Sequence, residues 1–90
     1  QYLVIAEDFT DDDALSRRLQ VRQAHLDRAN TMKQQGTMLF GGALLTADEQ
    51  TMNGSVIVFE ANDEDEVRRW IAEDPYVVNG VWNDIDIRPF

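Results

Sequence analysis

The sequence lacks cysteine entirely and carries a single histidine. Without cysteine the chain can form no disulfide and offers no thiolate ligand, and one histidine is too few for a typical zinc site, so we expect no bound metal. No apolar stretch approaches the roughly 18 residues that cross a membrane, and no signal-peptide pattern opens the chain. These absences favour a cytoplasmic protein with no membrane partner.

Positive charge is also scarce. Lys and Arg together number 8 against 17 Asp and Glu, which gives a formal net charge of −9 and a pI near 4.3. Nucleic-acid binding needs a basic surface that neutralises phosphates, so this balance argues against such a partner. We expect residues 1–90 to form a single domain, because the chain is too short for two cores. A domain of this size without disulfides is often stabilised by oligomerisation.

The hydrophobic pattern predicts the order β-α-β-β-α-β. Short runs rich in β-branched residues predict strands, acidic residues offer helix caps and first-turn negative charge, and Gly36 offers a helix end. The predicted segments are a strand at Tyr2–Ala6, a helix from Asp11–Asp13 to about Gln35, strands at Thr37–Leu45 and Ser55–Glu60, a helix at Asp63–Asp74 and a strand at Val81–Pro89. That order is the ferredoxin-like split βαβ arrangement, an α+β fold.

Both faces of the predicted sheet are apolar. In the first strand, Leu3 and Ile5 point to one face, and Val4 and Ala6 point to the other. Two helices cover only one face of a four-stranded sheet, so the second face needs another cover, and a second copy of the chain is the simplest candidate. We therefore expect a homodimer whose sheets pack face to face.

The first helix carries basic residues on its apolar side. At 100° per residue, Arg18 and Arg22 lie within about 60° of His25. The stripe that they share holds apolar residues, among them Leu15, Leu19, Leu26 and Ala29. An unpaired buried charge is costly, so each basic group must be paired or reach solvent. Two interpretations stay open: a pocket that presents cations to a carboxylate or enolate, and arginine stems that lie along the core edge and pair with acids.

His25 and Asp74 are the candidate catalytic residues. Asp74 stands at the end of the second predicted helix, directly before Pro75. The two helices of this fold lie side by side, which allows Asp74 to approach His25. A carboxylate that binds one imidazole nitrogen fixes the tautomer and leaves the other nitrogen free as a general base or acid. Asp74 also fits an Asx turn that ends the helix, and the sequence leaves both roles open.

Several of these residues together resemble the YCII-related family. The matching pieces, in order, are Arg18-x3-Arg22-x2-His25-Leu26, Gly36, Gly41, Gly54-Ser55, Asp74-Pro75-Tyr76 and Gly80. The resemblance implies a dimeric α+β barrel of ferredoxin-like subunits and a His–Asp active site at His25 and Asp74. It also implies that Arg22, Ser55 and Tyr76 lie nearby as substrate-binding residues, and the pocket interpretation adds Arg18. One member of this family eliminates chloride from a chlorinated aromatic intermediate without any cofactor.

The sequence therefore favours a cofactor-independent lyase or isomerase that acts on a small anionic or phenolic metabolite. His25 would move a proton, Asp74 would orient it, and the arginines would stabilise developing negative charge. The alternative is a non-catalytic module, in which the dimer binds a small ligand or docks on a larger enzyme. A third interpretation is a structural remnant whose pocket has no ligand.

Overall fold

A computed structural model describes residues 1–90, in which four strands form one antiparallel sheet of order β2-β3-β1-β4. The elements are β1 Tyr2–Asp8, α1 Ala14–Gln34, β2 Met38–Leu45, β3 Met52–Phe59, α2 Glu64–Ala72, α3 Pro75–Val78 and β4 Trp82–Pro89. This arrangement confirms the predicted α+β, ferredoxin-like fold. No helix of the chain is both long enough and apolar enough to span a membrane.

The start of α1 differs from the prediction. Asp13 occupies the N-cap position, but its side chain makes no capping hydrogen bond. Arg17 instead donates to both carboxylate oxygens of Asp11, at 2.7 Å each. The side chain at the N-cap position therefore does not cap the helix, and Asp11 instead pairs with Arg17 in the first turn of α1.

The chain between α2 and β4 contains a short helix that the sequence analysis missed. The predicted second helix ran to Asp74, whereas α2 ends at Ala72 and a four-residue α3 begins at Pro75. Asp74 caps α3, since its Oδ1 accepts from the backbone N–H of Tyr76 at 2.9 Å. Proline suits the first position of a helix because its missing N–H would have no partner there. This extra turn brings the buried side chain of Tyr76 against α1.

The helices cover one face of the sheet only. Val4 and Ala6 of β1 and Ile57 and Phe59 of β3 are at most 2% exposed and form the core with residues of α1 and α2. On the opposite face, each apolar residue lies beside another in the strand register. These outer-face residues are Leu3 beside Val58, Ile5 beside Val56, and Phe40 beside Val58. Phe40 is 59% exposed. The alternation is as predicted, and one chain leaves this outer face open.

The buried stripe of α1 is narrower than the helical wheel predicted. Leu15 and Leu19 were expected on the core-facing side, but both are exposed, whereas Arg18 is only 2% exposed. Ala14 and Ala29, which lie close to Arg18 on the wheel, are buried. Small side chains let the helix lie close to the sheet along this line, so the leucines remain on its flank.

Candidate active site

His25 and Asp74 form a close pair. His25 Nδ1 lies 2.8 Å from Asp74 Oδ1 and 3.0 Å from Oδ2, and the two side chains are 11% and 4% exposed. Helix α1 supplies the histidine, and the junction of α2 and α3 supplies the aspartate. Asp74 also caps α3, so it makes both the contact with His25 and the turn before Tyr76 that the sequence left open. A carboxylate at Nδ1 favours the tautomer with the proton on Nδ1, which leaves Nε2 as an acceptor.

Arg28 is a second neighbour of Asp74, and the sequence analysis missed it. Its guanidinium donates to the backbone carbonyl of Trp70 at 2.7 Å and lies 3.6 Å from Asp74 Oδ2. The signal available in the sequence is spacing, since Arg28 follows His25 by three residues and so lies on the same side of α1. Arg28 ties α1 to the end of α2 and so supports the position of Asp74.

Tyr76 holds the imidazole in place. The rings of Tyr76 and His25 stack with centroids 4.0 Å apart and an interplanar angle of 14°. Arg18 Cζ lies 4.6 Å from the Tyr76 centroid, and the rings of Trp82 and His25 are nearly perpendicular, with centroids 5.9 Å apart. Burial raises the pKa of the Tyr76 phenol, more than the nearby arginines lower it. Tyr76 is therefore a neutral hydroxyl near neutral pH and can donate a hydrogen bond.

Arg18 is buried and already has its own counter-ion. Its Nη1 lies 3.0 Å from each carboxylate oxygen of Asp8, and its Nη2 donates to Gly54 O at 2.8 Å and Ser55 Oγ at 3.0 Å. Ser55 Oγ also accepts from Trp82 Nε1 at 3.1 Å. Arg18 Nε is the one buried side-chain polar atom without a partner in the chain. Arg18 is thus a fixed, charge-balanced group with one donor still free.

Asp8 is a buried residue that the sequence analysis did not single out. Burial raises the pKa of its carboxyl, and the charge and hydrogen bonds of Arg18 act in the opposite direction. The available signal was an acid two residues after the predicted first strand, which gives no hint of a partner ten residues later on α1. Asp8 fixes the guanidinium of Arg18 beside Tyr76.

A cavity of about 200 Å³ lies between α1 and strands β2 and β3. Four of the six predicted site residues line it: Arg18, Arg22, His25 and Tyr76. Asp74 and Ser55 do not line it. Each instead binds a residue that does: Asp74 binds His25, and Ser55 binds Arg18. Because a cavity of about 150 Å³ accommodates benzene, this one is large enough for a single ring with small substituents.

The cavity is positively charged. No Asp or Glu side chain lines it, and Arg22 is exposed and forms no ion pair. In the chain as a whole, no group of three or more His, Asp or Glu side chains is placed to hold a metal ion. An imidazole acceptor beside an unpaired cation can take a proton and stabilise the anion that results.

Two proteins of known sequence are similar to this chain over most of its length. "Protein YciI" of Escherichia coli O6:H1 is 31% identical over 94 residues, with 99% of this chain and 94% of the relative covered. The "Derivative of benzaldehyde biosynthesis cluster protein C" of Emericella nidulans is 35% identical over 72 residues, with 73% of this chain and 74% of the relative covered.

A solved structure shares the fold. The 5-chloro-2-hydroxyhydroquinone dehydrochlorinase of Burkholderia phenoliruptrix AC1100, in complex with 2,5-dihydroxybenzoquinone, superposes with a TM-score of 0.83 at 24% identity. The superposition covers 100% of this chain and 93% of the dehydrochlorinase. The model of the YCII-related domain matches residues 1–90, and the chain belongs to that family.

Proposed function

We propose that this protein is a cofactor-independent lyase or isomerase that acts on a small anionic or phenolic metabolite. The observation that carries the proposal is the hydrogen bond of 2.8 Å between His25 Nδ1 and Asp74, on a histidine that lines a cationic cavity. A structural role would account for the hydrogen bond to Asp74, but it gives no reason for the ring-sized cavity that His25 lines.

In the proposed reaction, His25 Nε2 takes a proton from the substrate. The imidazolium that forms is stabilised by Asp74, which keeps its charge. Arg22 stabilises the negative charge that develops on the substrate oxygen, and the hydroxyl of Tyr76 is a further donor. In an isomerisation the proton returns to another atom, and in an elimination the leaving group departs with its bonding electron pair. Ser55 acts indirectly, because it holds Arg18 in place.

The comparisons support the substrate class. The dehydrochlorinase that shares the fold acts, by its name, on a chlorinated hydroxyhydroquinone and was solved with a dihydroxybenzoquinone. Both molecules are single oxygenated rings, and the cavity of this chain has room for one such ring.

We also propose that the chain acts as a single-domain subunit of a cytoplasmic homodimer. The outer face of the sheet supports the dimer, because Leu3, Ile5, Val56 and Val58 form a continuous apolar surface that no helix covers.

The function is tested by proton exchange, which does not require the natural substrate. The protein is incubated in D₂O with 5-chloro-2-hydroxyhydroquinone, hydroquinone and a set of enolisable keto acids, and NMR follows exchange and chloride release. We expect catalysis by the wild type and a loss of about 10²- to 10⁴-fold in His25→Gln. Arg69→Gln is the control, since Arg69 is exposed on α2 and does not line the cavity. Equal rates in wild type and a folded His25→Gln would contradict the proposal.

Binding without exchange would instead identify a non-catalytic module. In that case the same ligands shift the His25 ring signals, yet no bond to hydrogen or chlorine breaks. Asp74→Asn would then weaken affinity only slightly, because orientation of the imidazole matters for proton transfer more than for contact.

A further inference from the structure

The cations of this chain are distributed unevenly between ion pairs and the cavity. Five of the eight Lys and Arg residues pair with an acid: Arg17, Arg18, Arg28, Arg68 and Arg88. Three form no ion pair, although acids outnumber cations by about two to one. Two of these three, Arg22 and Lys33, line the cavity. The third, Arg69, is exposed on α2.

Lys33 is the only lysine in the chain, and it lies on the same flank of α1 as Arg22. Eleven residues separate the two, which places them about 20° apart on the helix and about 16 Å apart along its axis. His25 and Ala29 lie between them and also line the cavity. Helical side chains generally lean towards the N-terminus of their helix, which favours a position of the Lys33 ammonium on the His25 side. Ala29, with its small side chain, lines the cavity between the two cations.

The two ends of the cavity therefore offer different chemistry. At one end stand His25, Arg22, Arg18 and Tyr76, which can act on a phenol or enol oxygen. Towards the other end of the helix, Lys33 lines the same cavity, whose lining also includes the apolar side chains of Met38 and Ile57. A lysine ammonium is a compact point charge that binds a carboxylate without strict geometry. A neutral phenol would use only the first end.

We propose that Lys33 is a specificity-determining residue that binds a carboxylate of the substrate while the reacting oxygen faces His25. The substrate class is then a single-ring hydroxy acid, in which the ring carries both a carboxylate and a phenol or enol. This inference rests on the proposed use of the cavity as the substrate site. It narrows the proposed substrates from anionic or phenolic metabolites to metabolites that carry both a carboxylate and a phenol or enol.

The ligand pairs that test the inference differ only in the carboxylate. Calorimetry compares 3,4-dihydroxybenzoate with catechol and 2,5-dihydroxybenzoate with hydroquinone, on the wild type, Lys33→Met and Arg69→Met. We expect the wild type to bind each acid about tenfold more tightly than its parent phenol, because a charge-assisted contact contributes on the order of 1.5 kcal/mol. Lys33→Met should reduce this preference to about twofold or less, and Arg69→Met should retain it.

A second readout does not depend on activity. Because the chain has one lysine, ¹⁵N labelling gives a single ε-ammonium signal, and we expect the acids to shift it and the parent phenols to leave it unchanged. A helix-stabilising role for Lys33 at the end of α1 would lower stability in Lys33→Met without changing the preference for acids.

The outcomes separate this inference from the proposed function. Equal affinity for acids and phenols, with His25 still required for proton exchange, overturns the role of Lys33 and leaves the enzyme proposal intact. A preference for acids that depends on Lys33, without any exchange, supports the carboxylate site and overturns the enzyme proposal. Failure of all four ligands to bind overturns the inference.

Discussion

At the scale of single residues, the site depends on one carboxylate with several contacts. Asp74 accepts from His25 Nδ1 and from the backbone of Tyr76, and it lies within 3.6 Å of Arg28. Asp74 therefore orients the imidazole of His25 and also fixes the start of α3. This double use explains how a four-residue helix positions a buried tyrosine against the histidine.

We predict that Asp74→Asn lowers proton-transfer activity by about 10²- to 10⁴-fold while the fold is kept. The asparagine oxygen can still accept from Tyr76 N, but its amide now donates to His25 Nδ1 and moves the ring proton to Nε2. Glu73→Gln is the matched control, because Glu73 is the adjacent acid and its side chain is 78% exposed. An Asp74→Asn rate equal to that of Glu73→Gln would remove Asp74 from the mechanism.

The neighbouring arginines Arg17 and Arg18 provide a second comparison. Arg18→Met leaves the carboxylate of Asp8 buried without a cation, and we predict a loss of about 3–5 kcal/mol in the free energy of unfolding. Arg17→Met breaks a surface ion pair with Asp11 and a hydrogen bond to the carbonyl oxygen of Gly80, and we predict a clearly smaller loss of stability. Urea unfolding of the two variants measures the difference, and similar losses would show that the Asp8–Arg18 pair is not buried as described.

At the scale of secondary-structure elements, the close approach of β1 and β3 positions a backbone carbonyl that Arg18 binds. A Cβ added to Gly54 would lie 2.5 Å from the carbonyl oxygen of Ala6, whereas one added to Gly42 would meet nothing closer than the Phe40 ring at 3.8 Å. The strands can approach this closely only because Gly54 has no side chain. Its carbonyl then accepts from Arg18.

We predict that Gly54→Ala destabilises the protein by about 1–3 kcal/mol, because the two strands must move apart. Gly42→Ala should change the free energy of unfolding little. Thermal unfolding compares the two, and near-UV circular dichroism should change only in Gly54→Ala, since Arg18 stacks on Tyr76. Equal stability of both variants would contradict the close approach.

The sequence predicts the elements better than the contacts between them. Alternation in β1 and β3 identified the strands and their two faces, because burial acts on each side chain locally. The helical wheel placed Arg18, Arg22 and His25 near one another on α1, because angular positions on a helix follow from sequence spacing alone. It could not rank Arg18 as more buried than Leu19, since that depends on Asp8 and Gly54 across the fold. The short α3 was also missed, because a single turn has too few residues to show a period.

At the scale of the whole molecule, the apolar outer face of the sheet is left uncovered by a single chain. We predict a dimer by light scattering, and dissociation to monomers in Val58→Lys, because a charge in the middle of an apolar interface is costly. Val78→Lys is the matched control, since Val78 is 68% exposed on α3 and lies away from this face. A wild-type monomer at micromolar concentration, or an unchanged dimer in Val58→Lys, would contradict face-to-face packing.

In the proposed mechanism, His25 presents an unprotonated Nε2 to a ligand in the cavity while Asp74 holds Nδ1. The single histidine allows a direct measurement, in which the ¹⁵N shifts of its ring are recorded at a pH where the ring is neutral. The spectra are compared before and after addition of 2,5-dihydroxybenzoquinone. We predict a proton on Nδ1 and an Nε2 signal that moves on addition of the quinone. A proton on Nε2, or an Nε2 signal that the ligand leaves unchanged, would contradict the account.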